Sequence, residues 1–260
     1  MEVVIADDQT LAMLAADAIE RLLRTEAAPV LGLATGSSPL RIYDELTRRH
    51  EQDGLSFSQA QAFMLDEYVG LAADHPERYR NVIETEIGSR VDFGPGAVHG
   101  PDGLAEDLDA ASADYERAIA EAGGIDLQIL GIGTDGHVAF NEPGSSLSSR
   151  TRVKTLTEQT RVDNARFFDG NLEQVPTLCL TQGMGTIMEA GHLMLVATGA
   201  NKAEAVHQMV EGPISAMWPA TVLQMHRHVT ILVDDAAASR LQLGDYYRHA
   251  YANKPEWQNL

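Results

Sequence analysis

The chain has 260 residues, of which 44% are apolar and 22% charged, a composition typical of a folded globular protein. Acidic residues outnumber basic ones by 38 to 19, giving a formal charge of −19, which disfavours binding to nucleic acid or to a membrane surface. Cys179 is the only cysteine, so an intrachain disulfide and a Cys-x-x-Cys zinc site are excluded. A small anion in a locally basic pocket remains compatible with the acidic surface.

The N-terminal residues MEVVIADD are acidic, and no stretch of the chain approaches 18 consecutive apolar residues. We therefore expect neither a signal peptide nor a transmembrane helix. A single thiol fits a reducing compartment, and we expect the protein to be cytoplasmic.

Short apolar segments alternate with helical patterns along the chain. The spacing predicts strands at 3–5, 30–33, 62–65, 127–132, 193–197 and 229–233, and helices over 10–24, from Pro39 onward, over 104–122 and over 202–210. This alternation predicts an α/β fold with a parallel sheet between two layers of helices, in one domain over residues 1–260. Ligands of such sheets bind beyond the carboxyl ends of the strands.

Two glycine turns follow predicted strands and could each bind phosphate. In Thr35-Gly36-Ser37-Ser38, the last serine is a plausible N-cap of the helix that Pro39 begins. Lys202 follows the second turn and falls in the first turn of a helix, where the helix dipole disfavours a cation. A bound phosphate would offset that cost, although either turn could be an ordinary strand–helix junction.

Carboxylates and one histidine follow two further predicted strands. Asp66 comes directly after the strand at 62–65 and could act as a general base, or simply occupy a turn. The segment 131–143 has the G-x-G-x-x-G spacing of a dinucleotide site, but Pro143 follows too soon for a helix of useful length. The same segment contains three titratable groups in eight positions, which favours acid–base chemistry over a structural role for the histidine. These groups are Asp135, His137 and Glu142.

Five of the nineteen basic residues lie within residues 150–166, against two acids, so the segment is locally basic. Arginine side chains suit phosphate oxygens, although a solvated charged surface is the simpler interpretation. The basic residues are Arg150, Arg152, Lys154, Arg161 and Arg166.

Six segments, in family order from about residue 30 to 235, resemble the glucosamine-6-phosphate deaminases. They are LGLATGSSP, FMLDEYVGLAADHPERY, GIGTDGHVAFNEPGSSLSSRTRVKTL, TRVDNARFF, GANKAEAV and VEGPISAMWPATVLQMH. The resemblance implies a Rossmann-like fold and the conversion of glucosamine 6-phosphate and water to fructose 6-phosphate and ammonia, with no metal and no redox cofactor. The H-x-E…P-C-x-x-C pattern of the zinc deaminases is absent.

The resemblance also implies roles for individual residues. Asp66 is similar to the base that enolises the substrate, and Asp135, His137 and Glu142 are similar to the ring-opening set. The implied residues of the substrate phosphate site are Gly36, Ser37, Ser38, Arg166 and Lys202.

Some members of the family are hexamers activated by N-acetylglucosamine 6-phosphate, so the resemblance implies a homo-oligomer and an effector site. The residues that match that site are Ser145, Ser146, Arg152, Lys154 and Thr155. The last 25 residues match the family less well, and a tyrosine that would complete the effector site has no assigned position there. A 6-phosphogluconolactonase-like hydrolase and a non-catalytic sugar-phosphate sensor are the alternative functions.

Overall fold

The computed structural model describes residues 1–255, 258 and 260. Its strands form one parallel sheet of seven and one antiparallel sheet of three. In chain order they are β1 (Glu2–Ile5), β2 (Val30–Leu33), β3 (Gln61–Met64), β4 (Asp66–Tyr68), β5 (Val98–His99), β6 (Leu127–Leu130), β7 (Arg152–Thr155), β8 (Leu178–Thr181), β9 (His192–Ala197) and β10 (Val229–Val233).

The large sheet has the strand order β1-β10-β9-β6-β2-β3-β5, and the small sheet has the order β4-β8-β7. The helices are α1 (Asp8–Thr25), α2 (Leu40–Asp53), α3 (Tyr79–Glu86), α4 (Leu108–Glu121), α5 (Glu158–Asn164), α6 (Met184–Ile187), α7 (Ala203–Glu211) and α8 (Gly244–Ala252). Helices cover the large sheet on both faces, so the predicted α/β architecture is confirmed. None of the helices in the described residues has both the length and the apolarity needed to cross a bilayer.

Burial explains why these sequences form the large sheet. All residues of β2, β6, β9 and β10 are buried, as expected for parallel strands that are covered on both faces. Gly32 of β2 faces the side chain of Gln128 on β6, and a Cβ at this glycine would lie 2.1 Å from the amide oxygen. Only a glycine at position 32 leaves room for the side chain of Gln128 against the sheet.

The predicted strands and helices are all present, with shifted ends. The helix expected over 104–122 begins at Leu108, because Asp107 caps it by accepting a hydrogen bond from the backbone N–H of Ala110. The prediction of Ser38 as an N-cap is wrong: α2 begins at Leu40 after Pro39, and no side chain caps it. Ser38 instead lies beside Gly131, the first residue after β6.

Sequence patterns missed the edge strand β5 and the helices α3, α5, α6 and α8, and they missed the whole of the small antiparallel sheet. Its strand β4 has only three residues, two of them acidic, and its partners lie more than 80 residues away along the chain. Pairing over such a separation leaves no local pattern, since strand propensity depends on packing against neighbours. In β4, Asp66 pairs with Thr181 of β8, which pairs in turn with Arg152 of β7.

Candidate active site

Four loops meet at the carboxyl ends of the central strands of the large sheet. They follow β2, β3, β6 and β9, which are adjacent in the order β9-β6-β2-β3. The chain leaves β2 toward β3 on one side of the sheet, whereas β6 and β9 lie on the other side. The gap between β2 and β6 is therefore the topological switch point, where open α/β sheets bind ligands.

The loop after β6 brings Asp135, His137 and Glu142 together. The Nδ1 atom of His137 lies 2.7 Å from Oδ1 of Asp135 and 3.7 Å from Oε2 of Glu142. Burial alone would raise the pKa of Asp135, but the hydrogen bond and charge of His137 outweigh it and hold that pKa well below its usual value. The two carboxylates fix the orientation of the imidazole.

Glycines allow this loop to fold tightly around the histidine. No helix begins between Gly136 and β7, as the early Pro143 predicts. A Cβ at Gly133 would lie 2.3–2.5 Å from the ring of His137. Gly136 has a φ of +81°, and a Cβ there would lie 2.6 Å from the ring of Trp218.

Glu142 is buried, and its two carboxylate oxygens differ. Oε1 accepts a hydrogen bond of 2.6 Å from the hydroxyl of Thr160 on α5. Oε2 has no hydrogen-bond partner in the described part of the chain and faces His137. Because one oxygen is anchored and the other is unpaired, Glu142 is oriented to act on the imidazole.

The next turn places a non-glycine residue in a left-handed conformation, since Ala139 has a φ of +51°. The backbone N–H of Phe140 donates to the hydroxyl of Thr181, and the side chain of Asn141 donates to the carbonyls of Val138 and Gln182. These bonds compensate for the unfavourable φ at Ala139, and they hold Glu142 at a fixed distance from His137.

Asp66 lies at the start of β4 and is only 6% exposed. Burial and the neighbouring carboxylate of Glu67 raise the pKa of Asp66 to about 8. A carboxylate with a pKa in this range is a stronger base than an ordinary aspartate and suits proton abstraction near neutral pH.

Glu67 points to the other face of β4 and anchors the start of α3. Its carboxylate accepts hydrogen bonds from the backbone N–H groups of Tyr68, Tyr79 and Arg80. Burial raises the pKa of Glu67, and these three donors oppose that rise. The adjacent acids of β4 thus have different surroundings, because successive strand residues face opposite sides.

The predicted phosphate residues come from three separate loops. Gly36, with a φ of +92°, turns the chain after β2, and a small cavity is lined by Ser37, Ser38, Arg41 and Thr198 among others. Thr198 belongs to the loop that leads from β9 to Lys202. This loop is fixed by Asp234, whose carboxylate accepts from the backbone N–H of Gly199.

Arg166 lies close enough to Lys202 to lower the pKa of the lysine. Burial, and then the nearby Arg166, lower the pKa of Lys202, whereas Asp163 and Asp135 oppose this shift. Neither cation forms an ion pair with a carboxylate among residues 1–255. Lys202 lies in a 3-10 turn, Ala200–Lys202, directly before α7. Two cations that repel each other at the end of a parallel sheet suit a divalent anion.

The basic cluster at 150–166 separates into three groups in the fold. Arg150 pairs with Glu116 and Glu189, and Arg161 donates to the backbone carbonyls of Leu172 and Val175. The third group is Arg152, Lys154 and Arg166, which have no carboxylate partner in the parts of the chain that the structure describes. The cluster is therefore partly structural and partly available to bind anions.

Arg152 and Lys154 project from the same face of β7. They are paired across the ladder with Thr181 and Cys179, and residues two apart on a strand face one side, as predicted. Arg152 is half-buried, and this burial lowers its pKa. Thr155, at the end of β7, is exposed.

The two serines matched to the effector site lie in the loop before β7. Ser145 is buried and its hydroxyl has no hydrogen-bond partner among the described residues. Ser146 is exposed, and its hydroxyl lies 3.3 Å from that of Ser148.

Asp135, His137 and Glu142 are also a set that a divalent metal could bind, because their ligand atoms lie within 4.8 Å of one another. Imidazole and carboxylate donors suit several transition metals. A metal would have to separate Nδ1 of His137 from Asp135, which now lie 2.7 Å apart. The geometry as it stands fits proton transfer more directly than metal ligation.

Sequence reasoning gave no role to Glu67, Tyr79 or Thr160. All three fall inside the quoted family segments, but their functions depend on contacts across the fold. The one local signal is the position of Glu67 beside Asp66, which shows that two acids alternate on a strand.

Comparisons with known proteins show which family the chain belongs to. The family profile "Glucosamine-6-phosphate isomerases/6-phosphogluconolactonase" matches residues 6–232. The chain belongs to this family. Glucosamine-6-phosphate deaminases of Mycolicibacterium smegmatis and Beutenbergia cavernae are 70% and 69% identical to it over 261 aligned positions, covering 100% of both chains in each case.

Solved structures of the family have the same fold. A glucosamine-6-phosphate deaminase described as monomeric superposes with a TM-score of 0.90 at 40% identity, covering 92% of this chain and 100% of its own. A 6-phosphogluconolactonase from Trypanosoma cruzi superposes with a TM-score of 0.74 at 20% identity, covering 93% of this chain and 97% of its own. At that identity the likeness concerns the fold alone.

Proposed function

We propose that the protein converts glucosamine 6-phosphate and water to fructose 6-phosphate and ammonia. The observation that carries this proposal is the buried base Asp66, placed at the same sheet edge as the Asp135–His137–Glu142 set and the cations Lys202 and Arg166. The full-length identity to deaminases supports it. We retain the expectation of a cytoplasmic location.

The histidine set opens the sugar ring. His137 takes a proton from the hydroxyl on C1 and returns it to the ring oxygen, so the ring bond breaks and an aldehyde forms. Asp135, 2.7 Å from Nδ1, stabilises the imidazolium that exists between these two transfers. Glu142 keeps its free oxygen toward the same nitrogen and opposes its rotation.

Asp66 then moves a proton from C2 to C1. Removal of the C2 proton, together with uptake of a proton from water by the oxygen on C1, gives an enol, and return of the first proton to C1 leaves an iminium at C2. Water adds to this electrophilic carbon, and the amine departs as ammonia. The raised pKa of Asp66, about 8, makes both proton removal and proton return accessible near neutral pH.

The phosphate group holds the substrate in register with these residues. Ser37, Ser38 and Gly36 offer hydroxyl and backbone donors, while Lys202 and Arg166 supply the charge. Positioning of this kind lowers the barrier because the reacting carbon is held beside its base.

The alternative functions are less well supported. A lactonase needs no base to remove a proton from C2, so the burial of Asp66 would have no purpose in it. A sugar-phosphate sensor needs the phosphate contacts only and would not require the anchoring of Glu142 by Thr160.

The direct test is ammonia release from glucosamine 6-phosphate by the purified protein, with 6-phosphogluconolactone as the competing substrate. We expect ammonia and fructose 6-phosphate in equal amounts, and a loss of about 10²–10⁴ in kcat for Asp66→Asn. The exposed Asp109 offers a matched control, since Asp109→Asn should retain full activity. Retention of more than half of kcat by Asp66→Asn would remove the base assignment, and lactone hydrolysis without ammonia would favour the hydrolase.

We also propose that Ser145, Ser146, Arg152, Lys154 and Thr155 bind N-acetylglucosamine 6-phosphate as an activator at a subunit boundary of a homo-oligomer, a hexamer by family resemblance. Two observations on the described residues support an anion site: Arg152 and Lys154 have no carboxylate partner on one face of β7, and the hydroxyl of Ser145 has no hydrogen-bond partner. The alternative to a homo-oligomer is a monomer, because one solved relative is described as monomeric.

A further inference from the structure

The hydroxyl of Tyr68 joins three elements around the proposed active site. It is the acceptor of a 2.9 Å hydrogen bond from the side-chain amide of Asn164, the last residue of α5. The hydroxyl of Tyr79, the first residue of α3, lies 3.3 Å away on another side. Tyr68 itself is only 2% exposed, so its position is set by β4 and by the packing around it.

The segment that contains Arg166 is attached to Tyr68 at both ends. Asn164 precedes it and binds the hydroxyl of Tyr68, whereas Phe168 follows it and packs edge-on against the ring of Tyr68, with the ring centroids 5.8 Å apart. Between them the chain forms a 3-10 turn, Ala165–Phe167. Arg166 is exposed in the middle of this turn.

This attachment opposes the movement of Arg166 away from Lys202. Arg166 lies near Lys202 and lowers its pKa, so the two cations repel each other when no anion lies between them. Without an anchor, the short turn could relieve this repulsion by moving Arg166 away into solvent. A partly buried hydrogen bond at one end and an aromatic contact at the other keep it in place.

We propose that Tyr68 is a positioning residue that holds Arg166 opposite Lys202 and so prepares the site for the phosphate group. The inference rests on the proposed function in one respect only, the binding of a phosphate by Arg166. Tyr68 acts through Arg166 and does not itself contact the substrate phosphate.

The test measures phosphate binding separately from catalysis. Tyr68→Phe removes the hydroxyl and keeps the ring, and Asn164→Leu removes the other partner of the bond with little change in size. We expect each to weaken binding of inorganic phosphate, measured by calorimetry, about five- to tenfold. KM for glucosamine 6-phosphate should rise by a similar factor, with kcat within about twofold of wild type.

A double-mutant cycle tests the route of the effect. In the Arg166→Ala background, adding Tyr68→Phe should change phosphate affinity less than twofold, since the group being positioned is gone. Tyr247→Phe is the matched control, because it removes a tyrosine hydroxyl that hydrogen-bonds Glu211, and it should leave both constants unchanged.

Unchanged phosphate affinity in both Tyr68→Phe and Asn164→Leu would overturn the proposal, and so would an undiminished effect of Tyr68→Phe in the Arg166→Ala background. If Tyr68→Phe does not fold, Asn164→Leu at the end of α5 decides the matter alone. A wild-type protein that binds phosphate but releases no ammonia would overturn the proposed function. The role of Tyr68 would still be decided by the phosphate affinities of the variants.

Discussion

At the scale of single residues, environment separates groups that look alike in the sequence. Asp66 and Glu67 are neighbouring acids, yet Glu67 receives three backbone hydrogen bonds. No hydrogen bond or ion pair of the Asp66 carboxylate is found within residues 1–255. A buried carboxylate without donors is held in its neutral form, and this is the condition that raises the pKa of Asp66.

Asp66→Asn should stabilise the protein in a pH-dependent manner. The pKa of Asp66 is raised in the folded protein from 3.8 to about 8, so its contribution to stability is fully present below pH 4 and is lost as the pH rises through 8. Compared with wild type, the variant should gain stability progressively between pH 4 and 8, by about 5–6 kcal/mol at the plateau, because each pKa unit corresponds to about 1.4 kcal/mol. Urea unfolding at pH 5, 7 and 9 measures this.

The control for that series is Asp109→Asn, on the exposed surface of α4. Its difference from wild type should stay flat across the same pH range. A flat difference for Asp66→Asn as well would show that Asp66 is ionised throughout, which contradicts a raised pKa.

His137→Gln should impair the cyclic substrate more than an open-chain one. The proposed task of the histidine ends when the ring opens, whereas Asp66 acts afterwards. We expect kcat/KM for glucosamine 6-phosphate to fall by about 10²-fold or more, with a much smaller loss for a substrate analogue that cannot cyclise. Equal losses on both compounds would contradict this division of labour.

At the scale of elements, the small sheet places the base beside the unpaired cations. Asp66 and Arg152 lie on either side of Thr181 in one row of the ladder, and Tyr68 and Lys154 lie on either side of Cys179 two rows further along. Strands are about 4.8 Å apart, so two strand spacings separate the proposed base from the proposed effector cations. The same three strands therefore contact both sites.

Lys202→Ala should act mainly on affinity. Loss of a charge-assisted contact to the phosphate group costs about 1.5–3 kcal/mol, or a ten- to hundredfold rise in KM, while kcat changes less. Arg117→Ala, an exposed cation of α4 that pairs with Asp114, is the control. Equal inhibition of wild type and Lys202→Ala by inorganic phosphate would argue against a phosphate role.

At the scale of the whole molecule, the net charge of −19 contrasts with a basic sheet edge. Most of the arginines that pair with carboxylates are on helices, for example Arg24, Arg49 and Arg117. Among the described residues, the cations of the candidate anion sites have no such partner: Arg152 and Lys154 lie on β7, and Arg166 and Lys202 lie in 3-10 turns. The acidic surface therefore coexists with local sites for a small anion, because the electrostatic potential in a pocket depends mainly on the charges that line it.

Regulation is a property of the assembled molecule and has its own test. If effector binding couples to catalysis, N-acetylglucosamine 6-phosphate should lower the substrate concentration at half saturation by about 5- to 150-fold, the usual range of coupling. Lys154→Ala should lose this response and keep the maximal rate. Hyperbolic curves that ignore the effector, from a protein that sediments as a monomer, would contradict the regulatory proposal and leave the deaminase proposal intact.

The alternation of apolar strands and helices was enough to predict a parallel sheet and six of its seven strands, all except the short edge strand β5. The segments at 30–33 and 229–233 coincide with β2 and β10, because strands buried on both faces must be continuously apolar. The segments that resemble the family were likewise enough to select the residues of the candidate site, because each segment contains residues that match a motif of the family. Helix ends were less accurate, as at Leu108, where a capping aspartate decides between neighbouring positions.

Only the tertiary structure decided how those groups meet. The pairing of β4 with β8 joins residues more than 100 positions apart, and it is this pairing that buries Asp66 and raises its pKa. The anchoring of Glu142 by Thr160 and of Asn164 by Tyr68 likewise depends on contacts between separate elements. Sequence patterns report local periodicity, whereas burial and hydrogen-bond partners arise when distant segments pack, and these set the pKa values and positions on which the proposed chemistry depends.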